Sequence, residues 1–173
     1  MKPFIAGIVL VVLYWWEGSY RYAGLGIPYI QQSLEQTASW RDPAFKFLFT
    51  ALTVGSGFKG GEFIPLVFIG STLGSALGGI LPVSSSLLSA VGFAAVFGAA
   101  SNTPIACSVM AVELFGVEVA PYAIVACYAG YYFSGHQGIY HSQIVADPKH
   151  QKLRRWFGWL GELPRRFING GKW

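Results

Sequence analysis

The feature that most constrains this chain is a series of apolar blocks, each with hardly any charge and each too short for a conventional membrane span. They cover residues 3–16, 44–57, 63–82, 86–99, 104–115 and 119–134, and Gly, Pro, Ser or short charged stretches separate them. Hydrophobic residues make up 53% of the chain and charged ones 12%, leaving too little polar surface to face water on every side. Burial in a membrane is the simplest expectation. A helix needs roughly 20 apolar residues to cross about 30 Å of hydrocarbon, and most of these blocks fall short. Partial helices survive in lipid only when packed inside protein or lining a wet cavity. The expected fold is therefore an all-α membrane protein, a multi-helix bundle with re-entrant broken helices.

Lys2 ahead of an apolar run mimics a signal peptide, yet the run ends in Tyr14-Trp15-Trp16-Glu17 without a small-residue cleavage pattern, so it reads as an anchored helix. Seven of the twelve Lys and Arg residues follow position 146, predicting a cytoplasmic C-terminus and an inner-membrane location. In that tail Trp156, Phe157, Trp159 and Leu160 interleave with the charges, which favours an amphipathic helix on anionic headgroups over nucleic-acid binding. The chain divides into a membrane domain, 1–145, and a basic amphipathic tail, 146–173. Cys107 and Cys127 read as buried spectators, and His136, His141 and His150 are spaced too irregularly for a metal site. No cofactor is expected. Ser56 and Ser134 lack a placed base, so nothing points to an enzyme.

Along the chain, Gly24-Leu25-Gly26-Ile27-Pro28 predicts a turn into a short amphipathic helix over 29–39. Four glycines within 55–61 exceed what a helix interior tolerates, since each costs about 1 kcal/mol against Ala. The backbone is expected to be extended there, and a new helix to start near Glu62. Gly70, Gly74 and Gly78 share one face of that helix, which predicts close approach of a neighbouring backbone. Ser84-Ser85-Ser86 are expected to cap the next helix, Thr103-Pro104 to open another, and Pro121 the last.

Gly60-Gly61-Glu62-Phe63-Ile64-Pro65 carries the chemistry. The first-turn amides of a helix have no intrahelical acceptor and lie at the positive end of its dipole, so they form an anion site without Lys or Arg. A partial charge suits an ion that must leave again. Simple packing is the alternative use of such a start.

The segment Gly55-Ser56-Gly57-Phe58-Lys59-Gly60-Gly61-Glu62-Phe63-Ile64-Pro65 resembles the GSGxxGGxFxP signature of CLC chloride channels and transporters. Leu66 to Gly79, Ala99 to Glu113 with Thr103-Pro104, and Tyr140 in Gln137-Gly138-Ile139-Tyr140 fall in the family's order. Glu62, and the connector Arg21 to Pro28, are similar to the fluoride-exporting branch. The resemblance implies the second inverted-repeat half of the CLC fold, with Gly61, Glu62, Phe63 and Ile64 around the anion and the Tyr140 hydroxyl reaching it. It implies a fluoride or chloride ion and protons as partners, a lipid bilayer around the chain, a homodimer when complete, and a missing N-terminal half. The implied function is transmembrane halide transport, fluoride/proton antiport as part of a complete unit. The alternative is a non-transporting structural or regulatory subunit or fragment. Glu62 is either a proton-coupling carboxylate or a charge that stabilises its helix. Glu113, inside an apolar helix, is a functional candidate or a structural contact.

Overall fold

The computed structural model describes residues 2–135, 138–140 and 143. Seven α-helices follow one another, α1 (Lys2–Glu17), α2 (Ile27–Glu35), α3 (Arg41–Gly55), α4 (Phe63–Gly78), α5 (Ser85–Ser101), α6 (Pro104–Phe115) and α7 (Ala120–Phe133), with a 3₁₀ turn at Val117–Val119 before α7. Local signals set the boundaries. Gly26, at φ 68°, opens α2 with Pro28 in its first turn. The Ser84 hydroxyl accepts the Leu87 amide at 3.1 Å and caps α5, while Asn102, in the left-handed region at φ 58°, ends it. Pro104 starts α6 as expected, but Thr103 does not cap with its side chain. Its hydroxyl instead pairs with Ser101 Oγ at 2.6 Å and Cys107 Sγ at 3.5 Å.

The centre of the bundle is the α4–α5 pair. Gly70 and Gly92 face each other so closely that a Cβ on either would run into the other's carbonyl oxygen, and a Cβ on Gly74 would run into the Leu88 carbonyl. The shared face of Gly70, Gly74 and Gly78 thus meets backbone, as its spacing predicts. At this close approach Ser71 and Ser89 lie 2.7 Å apart, and Ser33 from α2 joins both at 2.7 and 3.1 Å, a buried hydroxyl triangle that pins α2 across the pair. One apolar cluster, around Ala94, Cys107, Ala111, Ala123 and Cys127, holds α5, α6 and α7 together. A second joins Tyr22, Ile30, Phe49, Val67, Phe68 and Phe93.

No helix among the described residues is long and apolar enough to cross a membrane. The longest, α5, has 17 residues, about 25 Å at 1.5 Å per residue. This corrects the expected fold class: the all-α bundle stands, but the membrane-spanning architecture with re-entrant helices does not. The physical reason is the punctuation by Gly and Pro, which cuts each apolar block short. The same finding overturns the multi-pass inner-membrane location with a cytoplasmic C-terminus, the lipid bilayer as partner, and transmembrane halide transport as the function of this chain. The tail, 146–173, and His136, His141 and His150 lie outside the described residues.

One polar cluster is buried beside the second apolar core. Lys46 on α3 is 2% exposed, and its ammonium donates to the carbonyl oxygens of Tyr22 and Gly24, each at 2.9 Å, over the Phe68 ring at 4.9 Å. Asp42, one turn earlier, accepts the Tyr22 hydroxyl at 2.7 Å, the Ser39 amide at 3.0 Å and Arg21 at 3.4 Å. Burial lowers the Lys46 pKa below the ordinary lysine value. Burial, and after it the hydrogen bond to Asp42, raises the Tyr22 phenol.

Two predictions follow from this packing. Gly74→Val is expected to cost more than about 2 kcal/mol, because the Leu88 carbonyl is backbone and has nowhere to move, whereas Gly61→Ala, with nothing within 4 Å of the new methyl, stays within about 0.5 kcal/mol. Thermal melts followed by circular dichroism measure both, and equal shifts would contradict the packing. For Lys46 the unfolded chain holds its proton to higher pH than the folded one. The unfolded state therefore binds more protons in the window below about 10.4, and stability rises with pH there. Lys46→Met removes this contribution, so the melting temperature of the natural protein minus that of the variant should climb between pH 8 and 10. A flat difference refutes the assignment.

Candidate functional site

The expected site lies where α3 gives way to α4. Ser56 donates back to the Leu52 carbonyl at 2.5 Å, and Gly57, at φ 88°, reverses the chain. Residues 58–61 then run without regular structure to Glu62, which stands at the N-cap of α4 with φ −90° and ψ −15°. In this stretch only Gly57 needs glycine for its backbone angle. At Gly60 and Gly61 the absent side chain leaves open space instead.

The first backbone bond of α4 runs from the Leu66 amide to the Glu62 carbonyl at 3.3 Å. The amides of Phe63 and Ile64 lie ahead of it, Pro65 has none, and no acceptor for either amide is found among the described residues. Glu62 is half-buried and its carboxylate does not cap the helix. It therefore leaves these amides free and places a formal negative charge beside them.

Phe63 is fixed by edge-on aromatic contacts, its ring centroid 4.7 Å from that of Phe97 and 6.3 Å from that of Phe93, and Phe93 meets Phe115 at 5.3 Å. Such pairs add about 0.5–1.5 kcal/mol each beyond simple burial. The α4 start is thus tied to α5 and, through Phe115, to the end of α6.

Tyr140 approaches from the other end of the chain. The Ile139 amide donates to the Ala100 carbonyl at 2.9 Å, hanging this segment on the last turn of α5, one turn beyond Phe97. The Tyr140 carbonyl accepts the Gln143 amide at 3.0 Å, and its side chain is 51% exposed. Gly61, Glu62, Phe63 and Ile64 are brought together at one helix start, and α5 links them to Tyr140 indirectly. Among the described residues no hydrogen bond or ring contact joins Tyr140 to that start.

Glu113 is exposed on α6 and lines a groove with Ile105, Val109, Ile124 and Tyr128. Cys107 and Cys127 are both buried and free. No group of three or more metal-ligating side chains occurs among the described residues. Sequence reasoning missed the Asp42, Lys46, Tyr22 and Arg21 cluster. The signal was available: an acid and a base four residues apart at the mouth of an apolar block.

With this geometry in view, the chain can be set beside known proteins. A family model described as "Voltage gated chloride channel" matches residues 1–135. A "Chloride/fluoride channel protein" of Pseudomonas syringae pv. tomato is 47% identical over 158 residues, 88% of this chain and 35% of that protein. An uncharacterized protein of Methanocaldococcus jannaschii is 34% identical over 86 residues, 50% of this chain and 22% of the other. A crystal structure of a CLC-type fluoride/proton antiporter superposes with a TM-score of 0.76 at 36% identity, covering 81% of this chain and 36% of that one. The chain spans about a third of the length of the first of these relatives and of the solved structure.

Proposed function

Because the chain belongs to the voltage gated chloride channel family, CLC, and within it to the fluoride-type branch, we propose that it is a non-transporting structural part of a CLC-type unit that presents one side of a halide-binding site. Members of this family are channels and transporters, and the chain is not an enzyme. The observation that carries the reading is the open start of α4, with the amides of Phe63 and Ile64 ahead of the first helical hydrogen bond. Gly60 and Gly61 beside them leave an approach clear of side chains.

A helix N-terminus favours an anion by about 0.3–1 kcal/mol at an exposed position. That is weak by itself, and it suits half a site. The remaining donors come from segments its relatives carry beyond the matched third, and the Tyr140 hydroxyl, whose segment hangs on the last turn of α5 through the Ile139 amide, is the further donor to test. Fluoride or chloride is the ligand class, in keeping with the name of the Pseudomonas relative. Glu62 opposes the halide by like-charge repulsion, and a proton on its carboxylate relieves that repulsion. The chain spans about a third of these relatives' length, and the structural reading assigns it no ion movement of its own.

Titration of the ¹⁵N-labelled protein with sodium fluoride and sodium chloride, against sodium gluconate at equal ionic strength, tests the site. Saturable amide shifts are expected at Glu62, Phe63 and Ile64. Ile64→Pro deletes one donor at a position where the first helical turn tolerates proline, and should weaken binding. Glu62→Gln removes the like charge and should tighten it, by roughly fivefold for charges about 4 Å apart in water. Halide shifts no different from those with gluconate would end the proposal. Saturable fluoride efflux from vesicles holding this chain alone would contradict its non-transporting part.

A further inference from the structure

Asp42 and Lys46 stand one turn apart on α3, a spacing at which opposite charges usually pair with each other. Here they grip the same residue of the connector from two sides. Asp42 Oδ1 accepts the Tyr22 hydroxyl at 2.7 Å, while Lys46 Nζ donates to the Tyr22 carbonyl and, two residues on, to that of Gly24. Arg21 closes the arrangement by reaching Asp42 at 3.4 Å and lying over the Tyr29 ring at 4.7 Å. Tyr22, Asp42 and Lys46 are all buried, at 4%, 7% and 2% exposure.

The connector itself is folded for this grip. Gly24 and Gly26 both take left-handed angles, φ 59° and 68°, and a Cβ on Gly26 would stand 2.8 Å from the Phe68 ring. Gly26 is also the N-cap of α2, a helix of nine residues. Isolated helices that short do not persist in water, so α2 depends on what holds its ends and its buried face. The face is held by Ser33, and the N-terminal end by the connector. Ammonium chemistry fits this position. Two of its three N–H groups meet carbonyls, and its charge lies on the face of Phe68.

We infer that the connector from Tyr20 to Gly26 is a latch held at Tyr22 by Asp42 and Lys46, with Lys46 as the positioning residue, and that its opening frees the connector and α2 together from a core of α4 to α7 that stays folded. Tyr22 and Ile30 are buried in the cluster around Phe68, which also takes in Phe49 of α3, Val67 of α4 and Phe93 of α5; the buried members of the α5–α7 cluster include none from the connector or α2, and of α2 Leu34 alone packs against it. Local opening of this kind, below the free energy of global unfolding, is the ordinary behaviour of cooperative units.

Hydrogen exchange of the full chain, resolved by residue, tests the inference. In Lys46→Met the amides of Ala23, Tyr29 and Ile30, bonded to the Tyr20 and Gly26 carbonyls, should exchange at least about tenfold faster. The amides of Cys107 on α6 and of Gly116 at its C-terminal end should stay within about twofold. Lys46→Arg, which keeps a cation with several donors, should restore much of the protection. Tyr22→Phe, losing only the Asp42 end, should open the same amides by a smaller factor, and it carries the test if Lys46→Met does not fold. Faster exchange spread evenly over α5 to α7, or unchanged exchange at residues 23–30, in the folded variant would overturn the latch.

Discussion

The rest of the structure depends on the backbone contact between α4 and α5. With no side chain at Gly70, Gly74 or Gly92, the two helices approach until carbonyl oxygens fill the space a Cβ would need. That separation lets short hydroxyls act as cross-links, so Ser71 and Ser89 meet each other and Ser33 without longer polar side chains in the core. It also sets the distance at which Phe97 and Phe93 meet Phe63, and thereby the direction in which α4 begins. A bulkier residue on the shared face would move the helix start as well as loosen the core.

The same residues explain why the chain departs from the architecture its composition suggests. Glycine and proline permit close packing and sharp turns, but each turn ends a helix. Gly55 to Gly61 separates α3 from α4, Gly78-Gly79 and Pro82 separate α4 from α5, and Asn102 with Pro104 separates α5 from α6. The apolar blocks become helices of 12 to 17 residues. Hydropathy alone does not see these breaks, because Gly and Ala count as apolar wherever they fall.

Much of the fold was legible because its signals are local. The α4 start at Phe63, the Ser84 cap, Pro104 at the head of α6 and the glycine face of α4 each follow from a few neighbouring residues. The membrane-spanning reading failed at a different step: the shortness of the blocks was plain and pointed to partial helices inside a membrane bundle, but no helix among the described residues is long and apolar enough to cross one. For the candidate site, the clustering of residues 61–64 at one helix start was readable, since they are contiguous. Within 55–61 the positive backbone angle belongs to Gly57, while Gly60 and Gly61 leave open space before the helix. Tyr140 could not be placed from sequence, because its position depends on one long-range bond, from the Ile139 amide to the Ala100 carbonyl. For Lys46 and Asp42 the four-residue spacing was readable, but their partners on the connector were not, since these lie at least twenty residues away on a stretch without regular structure.

Charge placement connects that cluster with the proposed halide site. Lys46 and Arg21, the cations nearest the second apolar core, are already engaged, the first by two backbone carbonyls and the second by Asp42. Lys59, in the loop before α4, is exposed to solvent, where its field is screened. The formal charge at the α4 N-cap is the carboxylate of Glu62, which repels an anion. Attraction at this start must then come from peptide dipoles, whose partial charges hold an ion loosely.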